Sequence, residues 1–194
     1  LYSRDILKHH KGATIISEVK ASHRLYQDIA SHGGVPIMWK TGHSLIKAKM
    51  KEEKALLAGE MSGHMFFNDR WYGFDDAIYA GARAIEILSE SQQSPLALLS
   101  DLPPSVTTPE IRVDCADEIK FKVVERARAS LIAKGFKVNA IDGARVEFSD
   151  GWGLVRASNT QPVLVFRFEA TSQARLEEIR HLVEAAVKEQ IGRS

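Results

Sequence analysis

Ala13-Thr14-Ile15-Ile16-Ser17-Glu18-Val19, then Leu25 to Ile29, Gly33-Gly34 and Val35-Pro36-Ile37-Met38-Trp39, is the stretch on which the fold of this chain turns. The first run is β-branched and apolar, so it reads as a strand. Leu25 to Ile29 lies in a short helical stretch that Gly33-Gly34 ends, and Val35 to Trp39 is a second strand. The rhythm continues outward. His43 to Lys54 has helical spacing, with Leu45, Ile46 and Met50 as its expected apolar side. Ala55 to Ala58 and His64 to Phe67 read as short strands. Asp75-Asp76 open a further helix, since acidic residues suit a helix N-terminus, and Ile78, Ala82, Ile85 and Leu88 follow helical spacing. Strands alternating with helices imply an α/β domain with a largely parallel or mixed sheet.

The composition changes at Leu102-Pro103-Pro104-Ser105-Val106-Thr107-Thr108-Pro109, which reads as a linker because prolines do not belong inside regular elements. Beyond it the pattern is helix, meander, helix. Asp117 to Lys134 is a long helix closed by Gly135. Lys137–Ile141, Ala144–Phe148, Gly153–Ala157 and Val163–Glu169 are strand-like, and Asp142-Gly143 and Asp150-Gly151 are turn signals that accept positive φ. A last helix starts near Ser172, with Leu176, Ile179, Leu182, Val183, Ala186 and Val187 on one face. The expected organisation is an α/β mixed-sheet domain over residues 1–104, followed by a small α+β domain with an antiparallel sheet over 105–194.

Bulk chemistry narrows the function. The chain has 194 residues, 44% apolar and 26% charged, with a net charge of +1. Neither half has the basic excess of a general nucleic-acid binder, so no nucleic-acid partner is expected. No apolar stretch approaches the ~20 residues that span a bilayer. The single Cys115 cannot form an internal disulfide, which points to a reducing, cytoplasmic location. It also lacks a nearby His or basic cluster that would activate a thiol.

Two polar motifs carry the chemistry. Arg156-Ala157-Ser158-Asn159-Thr160-Gln161-Pro162 gathers a guanidinium fork, two hydroxyls and an amide, a set suited to a phosphate. Asn159 tolerates the left-handed conformation in which successive N–H groups form an anion nest. Gly59-Glu60-Met61-Ser62-Gly63-His64 offers a carboxylate and hydroxyl for sugar hydroxyls and an imidazole for a phosphate or a proton. In extended chain Glu60, Ser62 and His64 would point the same way. Lys40-Thr41-Gly42-His43-Ser44 opens a helix and reads as a ligand turn or as a cap by Thr41 or Ser44. Lys20 ends the first strand, within reach of a phosphate. Asp75-Asp76 offers too few oxygens for a Mg²⁺ cage, so no metal ligands are assigned. Trp71, Tyr72 and Phe74 read as a packed aromatic loop.

These three motifs, with Arg70-Trp71-Tyr72-Gly73-Phe74-Asp75-Asp76, resemble the α-D-phosphohexomutase family, and within it the bacterial phosphomannomutase/phosphoglucomutase branch. The likeness runs over essentially the whole chain and places it as the third and fourth of four domains, the fourth having a fold of the TATA-binding-protein class. It implies that Lys20, His43, Glu60, Ser62 and His64 bind substrate, with His64 a candidate for proton transfer. It implies that Arg156, Ser158, Asn159 and Thr160 hold the phosphate that is not transferred. The implied reaction interconverts hexose 1-phosphate and hexose 6-phosphate of glucose or mannose through a phosphoserine and a hexose 1,6-bisphosphate, with Mg²⁺. This chain carries neither the Thr-Ala-Ser-His-Asn-Pro type serine loop nor the Asp-Gly-Asp-x-Asp-Arg metal loop; Ala21-Ser22-His23-Arg24 lacks the Asn-Pro. The expectation is a fragment that binds hexose phosphates weakly, is inactive alone, and whose partners are the missing N-terminal domains. A non-enzymatic phosphosugar-binding module is the alternative.

Overall fold

Thr14–Glu18 is the strand (β1) on which the first sheet is assembled. A computed structural model describes residues 1–192, which divide into two compact units meeting between Pro103 and Pro104. In the first unit β1 runs parallel to β2 (Val35–Trp39) on one side and to β3 (Leu57–Gly59) on the other. An antiparallel β4 (Met65–Phe67) completes the order β2-β1-β3-β4. Side chains on a strand alternate between faces, and here each face finds its own core. Ile15, Leu57 and Phe67 pack with Ile6 and Leu7 of α1 (Tyr2–His9), Ile29 of α2 (His23–Ser31) and Ala80 of α4 (Ala77–Ser89). Ile16, Ala58 and Phe66 pack with Ile46 and Met50 of α3 (His43–Glu53). The result is a three-layer α/β/α sandwich. Ser22, in the segment resembling a serine loop, is the N-cap of α2 and accepts the Arg24 N–H.

Helix α4 does not turn its helically spaced isoleucines inward. Ile78 is 88% and Ile85 69% exposed, while Ala80, Arg83 and Ile87 are buried. The Arg83 guanidinium pairs with Asp5 at 3.2 Å and with Asp69 at 2.9 Å and lies 5.0 Å over the Phe67 ring. A buried charge costs far more than an exposed isoleucine unless it is paired. The two inward carboxylates therefore set the rotation of the helix. Leu45 of α3 is likewise exposed. The aromatic loop packs only in part: Trp71 stacks on Tyr79 at 4.5 Å, whereas Tyr72 and Phe74 are exposed.

The second unit is an antiparallel sheet ordered β5 (Val106–Thr107), β10 (Val163–Ala170), β9 (Gly151–Ala157), β8 (Ala144–Phe148), β7 (Val138–Asn139), with β6 (Ile111–Asp114) also paired to β10. Val146, Val155, Phe166 and Phe168 face α5 (Asp117–Ala133) and α6 (Gln173–Ile191), which supply Val123, Ala127, Leu131, Ile179 and Val183. Strands β5 and β6 correct the sequence reading. Val106 and Thr107, inside the expected linker, pair with Ala170 and Glu169, and the strand is only two residues long between flanking prolines that cannot donate to a ladder. Among the described residues, no helix is long and apolar enough to cross a membrane.

Two glycines fix how tightly this sheet closes. Gly151 begins β9 without a positive φ, so the expected turn lies at Ser149-Asp150 instead. Its glycine is required by close approach: a Cβ there would lie 2.5 Å from the Glu169 carbonyl oxygen. Gly143 has φ +91°, and a Cβ would lie 2.3 Å from the Val155 carbonyl oxygen and 2.8 Å from Arg156 Cα. The Asp142-Gly143 turn can thus lie flat on β9 beside Arg156.

Gly143→Ala is expected to cost the second unit on the order of 2–3 kcal/mol, through strain and collision with β9. An unchanged denaturation midpoint would contradict this. Burial pushes the Cys115 thiol up from its ordinary value, and the side chain is enclosed in the core. Native protein at neutral pH should resist iodoacetamide while denatured protein reacts; rapid native labelling would show that the packing around Cys115 is wrong.

Candidate functional site

In an open α/β sheet, ligands meet the loops at the carboxyl ends of the parallel strands, at the point where strand order reverses. In the first unit that point is β1, with β2 on one side and β3 on the other. Three loops leave this end: Val19-Lys20 after β1, Lys40-Thr41-Gly42 after β2, and the Glu60–His64 turn between β3 and β4.

Glu18 joins them. It is the last residue of β1, on the same face as Ile16, and none of its surface reaches solvent. Its Oε2 accepts the Lys20 N–H at 2.7 Å and the Thr41 hydroxyl at 3.1 Å, and its Oε1 accepts the Met61 N–H at 3.1 Å. One carboxylate thereby pins all three loops. Lys20 is itself buried rather than an exposed lysine.

Glu60 serves the next layer. Its Oε1 accepts the Gly42 N–H at 2.8 Å, and its Oε2 lies 3.8 Å from His43 Nε2. Gly42 is the N-cap of α3, so the cap comes from a carboxylate 18 residues away in the chain, not from Thr41 or Ser44. A negative charge there suits the helix dipole and its unpaired N–H groups. Glu60, Ser62 and His64 are not grouped by strand alternation. The chain reverses at Met61-Ser62, with the Glu60 N–H bonding to the His64 carbonyl at 2.9 Å, and Ser62 is exposed on the turn.

The two imidazoles meet over this hairpin. The rings of His43 and His64 are 4.0 Å apart and edge-to-face. Asp75 holds both: its Oδ2 is 2.8 Å from His64 Nδ1 and 3.5 Å from His43 Nε2. Asp75 reaches the site because its backbone bridges to Phe66 in β4. The Asp75-Asp76 pair thus divides its work, for Asp76 alone caps α4 by accepting the Tyr79 N–H. Glu18 and Asp75 are the residues the sequence reading missed. For Glu18 a signal existed: a charge falls on the inward face of a strand, two places after Ile16.

In the second unit Arg156 lies on β9 with Trp152 and Leu154, on the sheet face opposite Val155 and Ala157, which belong to the helix-side core. Its Nε donates to Asp142 Oδ2 at 3.0 Å, and the guanidinium is otherwise without a hydrogen-bond partner among the described residues. Ser158 is buried, and its Oγ accepts the N–H groups of Thr160 and Gln161 at 3.3 and 3.2 Å. Asn159 has no positive φ, so the expected nest is replaced by this hydroxyl-centred turn. Asn159 and Thr160 are exposed at its tip.

Glu18→Gln should lower the stability of the first unit by about 2–3 kcal/mol, because an amide cannot accept from all three donors. Hydrogen exchange at the Met61 amide should accelerate in step. Unaltered exchange and an unaltered unfolding midpoint would refute the central role given to this carboxylate.

Comparison with known proteins gives a consistent answer for both units. Residues 1–106 match the family model described as phosphoglucomutase/phosphomannomutase, alpha/beta/alpha domain III, and residues 110–186 match the C-terminal domain of the same family. The chain is 51% identical over 188 residues to a phosphomannomutase/phosphoglucomutase of Pseudomonas syringae pv. tomato, and 48% identical over 190 residues to a phosphoglucomutase of Neisseria gonorrhoeae. Those matches cover 97% of this chain but only 40% and 41% of the relatives, so the chain spans about two-fifths of their length. The crystal structure of a phosphoglucomutase/phosphomannomutase family protein from Burkholderia thailandensis superimposes with a TM-score of 0.88 at 48% identity, over 97% of this chain and 40% of that one. With both units matched in order, the chain belongs to the phosphoglucomutase/phosphomannomutase family.

Proposed function

We propose that this chain is the substrate-holding part of a phosphohexomutase that interconverts hexose 1-phosphate and hexose 6-phosphate of glucose or mannose. The observation that carries this reading is the state of Arg156. Asp142 takes Nε and fixes the plane of the guanidinium, leaving its other edge for the paired oxygens of a phosphate. Ser158 rigidifies the turn next to it, and the exposed Asn159 and Thr160 add donors at the same loop.

On this reading the first unit holds the sugar. Glu60 accepts from ring hydroxyls through Oε2, since Oε1 is committed to Gly42. Ser62 adds a hydroxyl from the turn, and Lys20 and His43 complete the binding set. His64, with Nδ1 held by Asp75, is oriented to give or take a proton at Nε2. Holding the substrate supplies positioning, which is most of what a phosphoryl-transfer enzyme contributes besides charge stabilisation. A clamp that reads hydroxyls on either of two substrate orientations suits a hexose 1,6-bisphosphate that must turn around.

Mg²⁺ would offset phosphoryl charge in such an enzyme, but the residues here do not fit it. Mg²⁺ takes oxygen ligands, and the one group of possible metal ligands found among the described residues contains two imidazoles and one carboxylate. The phosphoserine and the metal loop are assigned to the three-fifths of the relatives that this chain does not cover, and those domains are its expected partners. A cytoplasmic location and a fold of the TATA-binding-protein class for the second unit belong to the same proposal. The helix-meander-helix order supports that class, and fold alone brings no nucleic-acid function.

Titration of the 194-residue chain with glucose 1,6-bisphosphate should show binding. Arg156→Ala should weaken it roughly 10- to 100-fold, the worth of a charge-assisted hydrogen bond. Arg156→Lys, which keeps the charge and a partner for Asp142, should recover only part of it. Equal affinity in the wild type and both folded variants would dismiss the phosphate assignment.

A further inference from the structure

We propose that His43, Glu60 and His64 form a binding site for a borderline divalent cation such as Zn²⁺. One ligand atom from each residue lies within 4.8 Å of the others. A tetrahedral zinc with bonds of about 2.0–2.1 Å sets its ligand atoms roughly 3.3 Å apart, so closure needs shifts of roughly an ångström. Both histidine side chains are about two-fifths exposed, at 40% and 42%, so the closing shift is made at the solvent side of the site while Asp75 keeps hold of His64 Nδ1. Glu60 is the fixed point, buried and anchored through Oε1, with Oε2 facing His43 at 3.8 Å.

The surroundings are those of a metal-binding imidazole. Asp75 Oδ2 accepts from His64 Nδ1 at 2.8 Å, and such a carboxylate partner fixes the ring and raises the basicity of its other nitrogen. Two imidazoles and one carboxylate select Zn²⁺, Cu²⁺ or Ni²⁺ over Mg²⁺ and Ca²⁺, which prefer oxygen. Three protein ligands leave a fourth position for water or a ligand oxygen.

A consequence rests on the sugar-binding reading above. The cation and a hexose phosphate would compete for Glu60, His43 and His64, so the metal would act as an inhibitor and not as a cofactor. The cation would give this end of the sheet a second class of ligand.

The test is competition of the 194-residue chain with a chromogenic chelator for Zn²⁺, with Mg²⁺ as the contrasting ion, and with NMR of the histidine ring signals. Expected are one Zn²⁺ per chain, no comparable Mg²⁺ binding, and shifts at His43 and His64. His64→Gln and Glu60→Gln should abolish this binding, and Asp75→Asn, which removes the charge that orients both imidazoles, should weaken it about 10- to 100-fold. Circular dichroism must show each variant folded; the wild-type ring shifts decide the matter if a variant is not. Zn²⁺ binding that survives in folded His64→Gln, or ring shifts confined to other histidines, overturns the proposal. Adding glucose 1,6-bisphosphate separates the two readings. Lowered apparent Zn²⁺ affinity beyond the chelation of Zn²⁺ by the bisphosphate itself, measured without protein, supports both. Zn²⁺ binding that the sugar phosphate does not disturb upholds the metal site and removes the hydroxyl clamp.

Discussion

Glu18 puts a carboxylate at the end of the central strand of the first sheet, wholly enclosed, and satisfies it with donors from three loops. Such a group is expensive to bury and is stable only when its partners are in place. The dependence runs both ways, since the Lys20 and Met61 N–H groups and the Thr41 hydroxyl have this acceptor as their shared anchor. The positions of Gly42 and of the Glu60–His64 hairpin follow from it. Once the hairpin is fixed, Glu60 reaches the start of α3, and the two histidines come edge to face. The His43, Glu60 and His64 cluster thus sits on a layer of polar bonds, and that layer sits on a sheet held by ordinary apolar packing.

The same economy of charge governs two other places. Arg83 rotates α4 inward because Asp5 and Asp69 await it. Arg156 is oriented by Asp142, and Asp142 is positioned because Gly143 lets a turn lie against β9. In each case an ion pair decides the geometry that apolar periodicity would leave open or would set differently.

This explains what could be read from the sequence. Local signals gave β1, β2 and β8 and the helices α3, α5 and α6 nearly to the residue, because β-branched runs, helical spacing and Gly or Ser boundaries act within a few positions. Long-range satisfaction of polar groups was not legible. The spacing of Ile78, Ala82, Ile85 and Leu88 is helical, yet the helix turns another side inward for Arg83. Val106–Thr107 is β-branched but too short, between Pro104 and Pro109, to read as a strand, and it exists because β10 offers it an edge. Glu60, His43 and His64 could be named from their motifs. That Glu18 supports them and that Asp75 steers His64 required knowing which loops share one end of the sheet.

Asp142 has an effect that reaches beyond geometry. A guanidinium whose Nε already faces a carboxylate presents less net attraction to an arriving dianion than an isolated one would. On the proposed reading, in which a hexose bisphosphate leaves, flips and returns, such tempering would shorten its residence time, because the buried guanidinium keeps its counter-charge beside it at 3.0 Å throughout. On that reading the turn that Gly143 permits would tune how long an anion dwells, not only where it docks.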